Sequence, residues 1–210
     1  MLYKASAAAV VLSIALVVAG CGDWAGFGFR GEGRDMDRLA SVLALHPGMV
    51  VADVGAGKGE LTMGLARRVG PSGRVFSTDL EPRRVERLRT MVAEASLNHV
   101  TVVAAQKRAT GLPPGCCDAI VMRRVFHHFS DPSGMSTSAL ETLRSGGMLV
   151  VIDFPPPFFW RHGVPAQTVI DAVKRSGFER VSLISDWPGR GPLESYCAVF
   201  RKPSAGTGAG

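Results

Sequence analysis

The sequence predicts an α/β protein with one doubly wound, mostly parallel sheet of seven strands, in which the last strand is antiparallel. Short apolar runs alternate with helical periodicities along most of the chain, as they do when crossover helices join parallel strands. The last two apolar runs have no helix between them, so we expect a hairpin at the sheet edge. At 210 residues, 46% of them hydrophobic, the chain can bury one core but is short for two.

The individual elements follow from local patterns. The first strand is predicted at 49–54, a nearly continuous apolar run typical of a strand that is buried on both faces. The second begins after the turn Pro71-Ser72-Gly73, and the next helix begins at Pro82, where proline's missing N–H is no loss. The strands after the first are predicted at 74–78, 100–104, 119–123, 148–153, 181–185 and 196–201, and the helices at 34–45, 61–69, 82–97, 133–143 and 164–176.

The first twenty residues predict a targeting segment. Lys4 supplies a positive charge, residues 7–18 are apolar, and the small residues Val18-Ala19-Gly20 suit a signal peptidase. With the following Cys21 this series resembles the bacterial lipoprotein signal, which implies that Cys21 is acylated and becomes the first residue of the mature protein. We therefore expect a signal peptide at 1–20, a linker at 22–33, a folded domain at 34–203 and a disordered tail at 204–210.

If Cys21 is acylated, the lipid attaches the protein to a membrane, and we expect the domain on the periplasmic side of the cell envelope. Two alternatives stay open. The apolar run could remain as an uncleaved anchor, or the start codon or signal could be misread, in which case the domain is cytoplasmic.

A glycine-rich loop follows the first strand. Asp53 is followed by Gly55, Ala56, Gly57 and Gly59, and a helix begins directly afterwards, so backbone amides lie free at a helix N-terminus. The spacing differs from the dinucleotide fingerprint GxGxxG, and the absence of a GK[ST] sequence excludes the phosphate-binding loop of nucleotide hydrolases. The loop predicts a nucleoside-like ligand without a pyrophosphate.

A carboxylate follows the second strand. Asp79 lies 24 residues beyond Gly55, a spacing that suits an acid accepting hydrogen bonds from both ribose hydroxyls. The alternative is that Asp79 only places a negative charge at the N-terminus of the helix that begins at Pro82.

These residues resemble the class I S-adenosylmethionine-dependent methyltransferases, which have a Rossmann-like fold. The run 53–59 resembles the family's DxGxGxG signature, and further similarity lies at 112–115, 118–121, 145–149 and 196–200, so that the resemblance covers 35–202. Gln106 stands near the position where many relatives carry an acidic residue for the adenine amino group. The resemblance implies S-adenosyl-L-methionine as cofactor, with binding by Asp53, Gly55, Ala56, Gly57, Gly59, Asp79, Leu80, Gln106 and Arg123.

Two adjacent histidines follow the fourth strand, where the resemblance places the methyl acceptor. His127 or His128 is a candidate base for an acceptor that must lose a proton, and the alternative is a structural or substrate-positioning role. The aromatic segment 154–160 either covers the acceptor or packs against the first helix, and 187–192 is predicted as a hairpin loop.

Charge and cysteine spacing limit the partners. The formal net charge is +6, but the arginines of the helix at 82–97 alternate with glutamates, which favours a solvated face over a nucleic-acid surface. Cys116, Cys117 and Cys197 have no metal-binding spacing, so we expect strand residues and no metal site. We expect a monomer that methylates a small molecule. The alternatives are a methyltransferase acting on protein or RNA and a non-catalytic adenosylmethionine-binding module.

Overall fold

The computed structural model describes residues 32–156, 162–188 and 195–204. The predicted signal peptide, Cys21, nearly all of the linker and residues 205–210 of the predicted tail lie outside these ranges, as do most of the aromatic segment and most of the hairpin loop. In the part of the chain that the structure describes, no helix is both long enough and apolar enough to cross a membrane.

Within the described ranges, seven strands and five α-helices follow one another in the predicted order, and a short 3-10 helix at Phe126–His128 follows the fourth strand. The strands are β1 (Val50–Val54), β2 (Arg74–Asp79), β3 (Val100–Ala104), β4 (Cys117–Arg123), β5 (Leu143–Asp153), β6 (Glu179–Trp187) and β7 (Ser195–Arg201). The helices are α1 (Glu32–Leu43), α2 (Glu60–Val69), α3 (Pro82–Glu94), α4 (Pro132–Thr142) and α5 (Ala166–Arg175).

The strands form one sheet in the order β3-β2-β1-β4-β5-β7-β6. The first five pair in parallel, and β7 inserts antiparallel between β5 and β6. This confirms the predicted fold class and the hairpin at the edge. The order reverses between β1 and β4, and in open sheets of this kind the crevice at such a reversal is where ligands bind.

The central strands are apolar on both faces because helices cover both. In β4, Ile120 and Met122 pack in one core cluster with residues of α4 and α5, whereas Ala119 and Val121 pack in a second cluster with residues of α1 and α2. Two-sided burial explains why these strands have continuous apolar runs in place of an alternating pattern.

Several predicted boundaries need correction. α3 ends at Glu94 and not at 97, because Ser96 has a positive φ of 52° and the N–H of Leu97 donates to the carbonyl of Val92, closing the helix end. Trp187, predicted in the hairpin loop, is instead the buried last residue of β6. Cys117 and Cys197 lie in strands as predicted, but Cys116 precedes β4.

Candidate functional site

A cleft of about 1460 Å³ opens where β1, β2 and β4 end. It is lined by the loop after β1, the residues after β2 and the segment after β4, so three sequence-distant segments meet at the point of strand-order reversal. The volume is large enough for a nucleoside-sized ligand together with a second small molecule.

The glycine loop is held close to the neighbouring backbone and side chains. Gly55 has a φ of 78°, and a Cβ on it would lie 2.4 Å from a methyl carbon of Val125. Gly57 has a φ of 58°, lines the cleft, and would meet nothing nearer than the Gly55 carbonyl at 4.0 Å. The first glycine therefore permits packing, while the second presents bare backbone to the ligand space.

Gly59 has a different task. A Cβ there would lie 2.4 Å from the Met91 side chain and 2.8 Å from that of Leu88, both of which belong to α3. Gly59 allows close packing between the start of α2 and α3, and it lies behind the cleft lining.

The Asp79 carboxylate joins the loop to the next helix. Its Oδ2 accepts the backbone N–H of Gly57 at 2.9 Å, and its Oδ1 accepts that of Glu81 at 2.9 Å. The guanidinium of Arg84 lies 3.9 Å from Oδ2. Because each carboxylate oxygen can accept more than one hydrogen bond, both oxygens keep acceptor capacity for a ligand in the cleft.

Asp53 lies beneath the loop rather than in the cleft. Its Oδ2 accepts the hydroxyl hydrogen of Thr62 at 2.6 Å, and that hydroxyl is 2.9 Å from the Ser77 hydroxyl. Burial raises the pKa of Asp53 to about 6, although the Thr62 hydrogen bond and the charge of Arg123 act in the opposite direction. The side chain supports the end of β1 from inside the core.

Leu80 and Gln106 define another part of the lining. Leu80 follows Asp79 directly, is 54% exposed and lines the cleft. Gln106 exchanges backbone hydrogen bonds with Ala109, which forms a tight turn beside the cleft. Leu80 offers an apolar surface and Gln106 an amide within one wall of the cleft.

Arg123 forms a second wall with two carboxylates. Its guanidinium lies 3.1 Å from Asp35 on α1 and 3.6 Å from Glu60 on α2. The indole N–H of Trp187 donates to the other oxygen of Asp35, so α1 is fixed both to β4 and to the end of β6. All three charged side chains line the cleft, and together they carry one net negative charge.

The two adjacent histidines have different surroundings. His127 Nδ1 is 2.8 Å from Asp153 Oδ1, its backbone N–H donates to Asp153 Oδ2 at 3.3 Å, and its side chain is only 5% exposed. His128 lines the cleft and is exposed. Partial burial of the ring lowers the pKa of His128 from its usual value, and the neighbouring His127 and His162 lower it further.

These features can be compared with known proteins. Residues 51–147 match a family model described as a methyltransferase domain. The matched segment runs from β1 into β5 and therefore contains the glycine loop, Asp79, Gln106 and Arg123. The methyltransferase-domain match ends before Asp153 and His162.

Curated relatives match about half of the chain. The chain is 30% identical over 117 residues to the ubiquinone/menaquinone biosynthesis C-methyltransferase UbiE of Shewanella frigidimarina, covering 55% of this chain and 47% of that protein. It is 33% identical over 113 residues to an uncharacterized 37.1 kDa protein in transposon TN4556 of Streptomyces fradiae, covering 54% and 32%. The chain thus spans about half the length of the first of these proteins and a third of the second.

Solved structures of methyltransferase-like architecture superpose over most of the chain. A SAM-dependent methyltransferase from Aquifex aeolicus has a TM-score of 0.69 at 22% identity, covering 80% of this chain and 89% of that one. The cyclase SpnF has a TM-score of 0.70 at 17% identity, covering 81% of both chains. At these identities the likeness shows a shared fold.

The structure brings most of the predicted site residues to one cleft. The lining includes Gly55, Ala56, Gly57, Asp79, Leu80, Gln106, Arg123 and His128. Asp53, Gly59 and His127 instead support the cleft from behind. Cys21 lies outside the described residues.

Sequence reasoning missed several contributors. Asp35, Val125, Asp153 and His162 each contact a predicted site residue through the fold rather than through a local motif. A signal for Asp153 existed in its position at the end of the fifth strand, where side chains reach the ligand edge of the sheet. No local signal marked His162.

Proposed function

We propose that this protein is an S-adenosyl-L-methionine-dependent methyltransferase that acts on a small, largely apolar molecule. The observation that carries the proposal is the Asp79 carboxylate, which bonds the Gly57 N–H and still faces the cleft at the strand-order reversal. An acid held in this way recognises a ribose diol.

The residues around Asp79 fit the rest of this cofactor. Leu80 offers an apolar surface for adenine, Gln106 an amide for its polar edge, and Gly57 bare backbone for close approach. The wall of Arg123, Asp35 and Glu60 has a net negative charge, which suits a ligand with a cationic sulfonium and ammonium group. When bound, the cofactor supplies a methyl group on an already activated sulfur leaving group.

The protein's own residues then bind the acceptor, align it with the methyl group and shield the reacting atoms from water. Val125, Phe129 and Met135 line the cleft beside His128, and they form an apolar region on the β4 side. Such a region orients a small apolar acceptor and excludes water from the reacting atoms. The similarity to relatives named for C-methylation in quinone biosynthesis supports this class of acceptor.

The histidine pair serves the acceptor side. His127, clamped by Asp153, is a positioning residue that fixes the 3-10 helix, and His128 is the histidine that reaches the cleft. If His128 acts as a base, the wild-type kcat falls as the pH drops through the lowered pKa of His128, and His128→Gln lowers kcat and removes this fall. A uniform effect at every pH assigns it to positioning instead.

Calorimetric titration tests the cofactor assignment directly. Adenosylmethionine and its demethylated product should both bind the wild-type protein, and Gly57→Val and Asp79→Ala should each abolish measurable binding. Gly115→Val is the matched control, because Gly115 also has a positive φ of 62° but lies in open space away from the cleft. The proposal fails if the wild type does not bind, or if Gly115→Val loses affinity as completely as Gly57→Val.

Acceptor class is tested separately. Methyl transfer to lipid-like small molecules in an extract, with tritiated cofactor, supports the small-molecule proposal. Salt-dependent binding of RNA or protein would favour a macromolecular acceptor instead, and cofactor binding without any methyl transfer would leave a binding module.

The membrane anchor is a further part of the proposal and rests on residues 1–21 alone. Acylation at Cys21 would hold the domain at the envelope, away from the cytoplasm where adenosylmethionine is made. Mass spectrometry of the mature N-terminus decides the matter: a diacylated or triacylated Cys21 supports the anchor, and a tryptic peptide containing residues 5–20 overturns it.

A further inference from the structure

Three of the chain's five histidines converge beside the cleft. His127 and His128 lie on the 3-10 helix after β4, and His162 lies 34 residues further along the chain, between β5 and α5. The ring centroid of His162 lies 5.0 Å from that of His127 and 5.2 Å from that of His128. One ring nitrogen from each residue lies within 4.8 Å of the other two.

We propose that His127, His128 and His162 bind a divalent transition-metal ion of the zinc class. Three imidazoles with a remaining open position are the donor set of many zinc sites, and imidazole also suits cobalt, nickel and copper. The absence of a carboxylate among the three donors disfavours magnesium and calcium, which prefer oxygen ligands.

Asp153 prepares the first of these ligands. Its carboxylate is 2.8 Å from His127 Nδ1 and is itself held by the backbone N–H groups of His127 and Phe154. An Nδ1–H that donates to this carboxylate leaves the Nε2 lone pair for a metal. Metal-binding histidines typically have such a carboxylate partner, which fixes the tautomer and orients the ring.

The spacing of the three rings permits coordination after small side-chain movements. Zinc–nitrogen bonds of about 2.0–2.1 Å place two tetrahedral ligand atoms about 3.4 Å apart. The largest separation in the cluster is 4.8 Å, so the donors must approach by about 1.4 Å at most. His128 and His162 are exposed and can make this movement by rotation, whereas the buried, clamped His127 provides the fixed point.

The location links the ion to the cleft. His128 belongs both to the histidine cluster and to the cleft lining, and the Phe154 ring packs against His127 at 5.1 Å. The ion would therefore border the region that we assigned to the methyl acceptor, an assignment that rests on the proposed function, and His128 as its ligand would position the acceptor and would not act as the base. The metal site itself depends only on the three histidines and Asp153.

Direct metal titration tests the site. The full-length chain, purified without a polyhistidine tag and stripped with a chelator, is titrated with Co²⁺ by visible absorption and with Zn²⁺ by calorimetry, without adenosylmethionine. We expect one ion per chain and the intense visible absorption of tetrahedral Co²⁺. His162→Ala should lower the affinity at least tenfold, and Asp153→Asn should lower it about 10–100-fold.

His46→Ala is the matched control because His46 is exposed and lies outside the cluster. It should bind as tightly as the wild type. The proposal is wrong if the wild type shows no saturable binding, or if His162→Ala binds as tightly as His46→Ala. Since His162 is exposed, its variant keeps the test valid even if Asp153→Asn does not fold. Failure here leaves the cofactor assignment untouched, because the titration contains no cofactor.

Discussion

Gly55 combines a positive φ of 78° with close packing against Val125. Gly55→Ala adds a methyl group 2.4 Å from a Val125 carbon and also forces an L-residue into the left-handed region. We expect the free energy of unfolding to fall by about 2–5 kcal/mol, the sum of a strained backbone and an overpacked contact. Urea denaturation of the variant measures the loss.

Two controls separate these causes. Gly115→Ala has a similar φ of 62° in open space, so it should show the backbone cost alone, about 1–2 kcal/mol. Adding Val125→Ala to Gly55→Ala should recover part of the stability through relieved packing. Equal losses in Gly55→Ala and Gly115→Ala would contradict the packing explanation.

Asp53 gives the protein a pH-dependent stability. Its pKa is about 6 in the folded state, raised by burial, against about 3.9 when unfolded, so the folded state holds the proton more tightly. The stability associated with this group is present below about pH 4 and is lost as the pH rises through 6. Relative to Asp53→Asn, the free energy of unfolding of the wild type should fall by up to about 3 kcal/mol from pH 4 to 7.

Denaturant unfolding of the wild type and of Asp53→Asn from pH 4 to 7 measures this difference in the free energy of unfolding. Groups that titrate identically in the two proteins do not contribute to it. Asparagine keeps an acceptor oxygen for the Thr62 hydroxyl, so the variant should fold. A difference that is constant with pH would mean that Asp53 titrates normally in the folded protein.

At the scale of elements, α1 depends on Asp35 for its attachment. This carboxylate accepts hydrogen bonds from Arg123 and Trp187, so Asp35→Ala removes the acceptor that joins α1 to both side chains and should release the helix. We expect amide hydrogen exchange in α1 to require roughly 1–3 kcal/mol less opening free energy. Affinity for adenosylmethionine should fall as well, because the same wall lines the cleft.

Asp37→Ala is the control on the same helix. Asp37 is 68% exposed and pairs with Arg68, which is 42% exposed, so its loss should change stability by no more than about 1 kcal/mol. Exchange rates in α1 that rise equally in both variants would show that the attachment does not depend on the Asp35 contacts.

Local patterns explain which parts of the site the sequence can predict. The loop containing Gly55, Gly57 and Gly59 is recognisable because strand, turn and helix N-terminus follow one another within a few residues, and Asp79 lies at the end of the next parallel strand. Contacts such as Asp153–His127 and His162–His128 join segments that only the tertiary fold brings together. Helix ends such as Ser96 depend on a single left-handed residue that is not glycine, which sequence patterns mark weakly.

At the scale of the whole molecule, cofactor binding should stabilise the entire fold because the cleft is built from several sequence-distant segments. With adenosylmethionine at 100 times its Kd, the native state gains about 2.7 kcal/mol. For a chain of this size we expect Tm to rise by roughly 5–10 °C. Differential scanning calorimetry measures the shift.

Asp79→Ala should remove this rise in Tm while Gly115→Ala keeps it, since Gly115 is remote from the cleft. A rise that persists in Asp79→Ala would place the ligand somewhere else on the protein.

The overall fold was predictable because its signals repeat along the whole chain. Continuous apolar runs in β1, β4 and β5 arise from burial on both faces, and the missing helix before β7 indicates the antiparallel edge. Residues such as Trp187 were misplaced because a short aromatic–proline sequence resembles a loop when its partner, Asp35, lies 152 residues away.

The hydrogen bond between Trp187 and Asp35 also determines when the cleft can be completed during synthesis of the chain. A nascent chain that ends before β6 already contains the glycine loop, Asp79 and Arg123, but Trp187, the second partner of Asp35, has not yet been translated. Contacts between distant segments form late because the intervening chain must close first. The cleft wall therefore becomes complete only when β6 has left the ribosome, and we expect tight binding of the proposed cofactor only after that point.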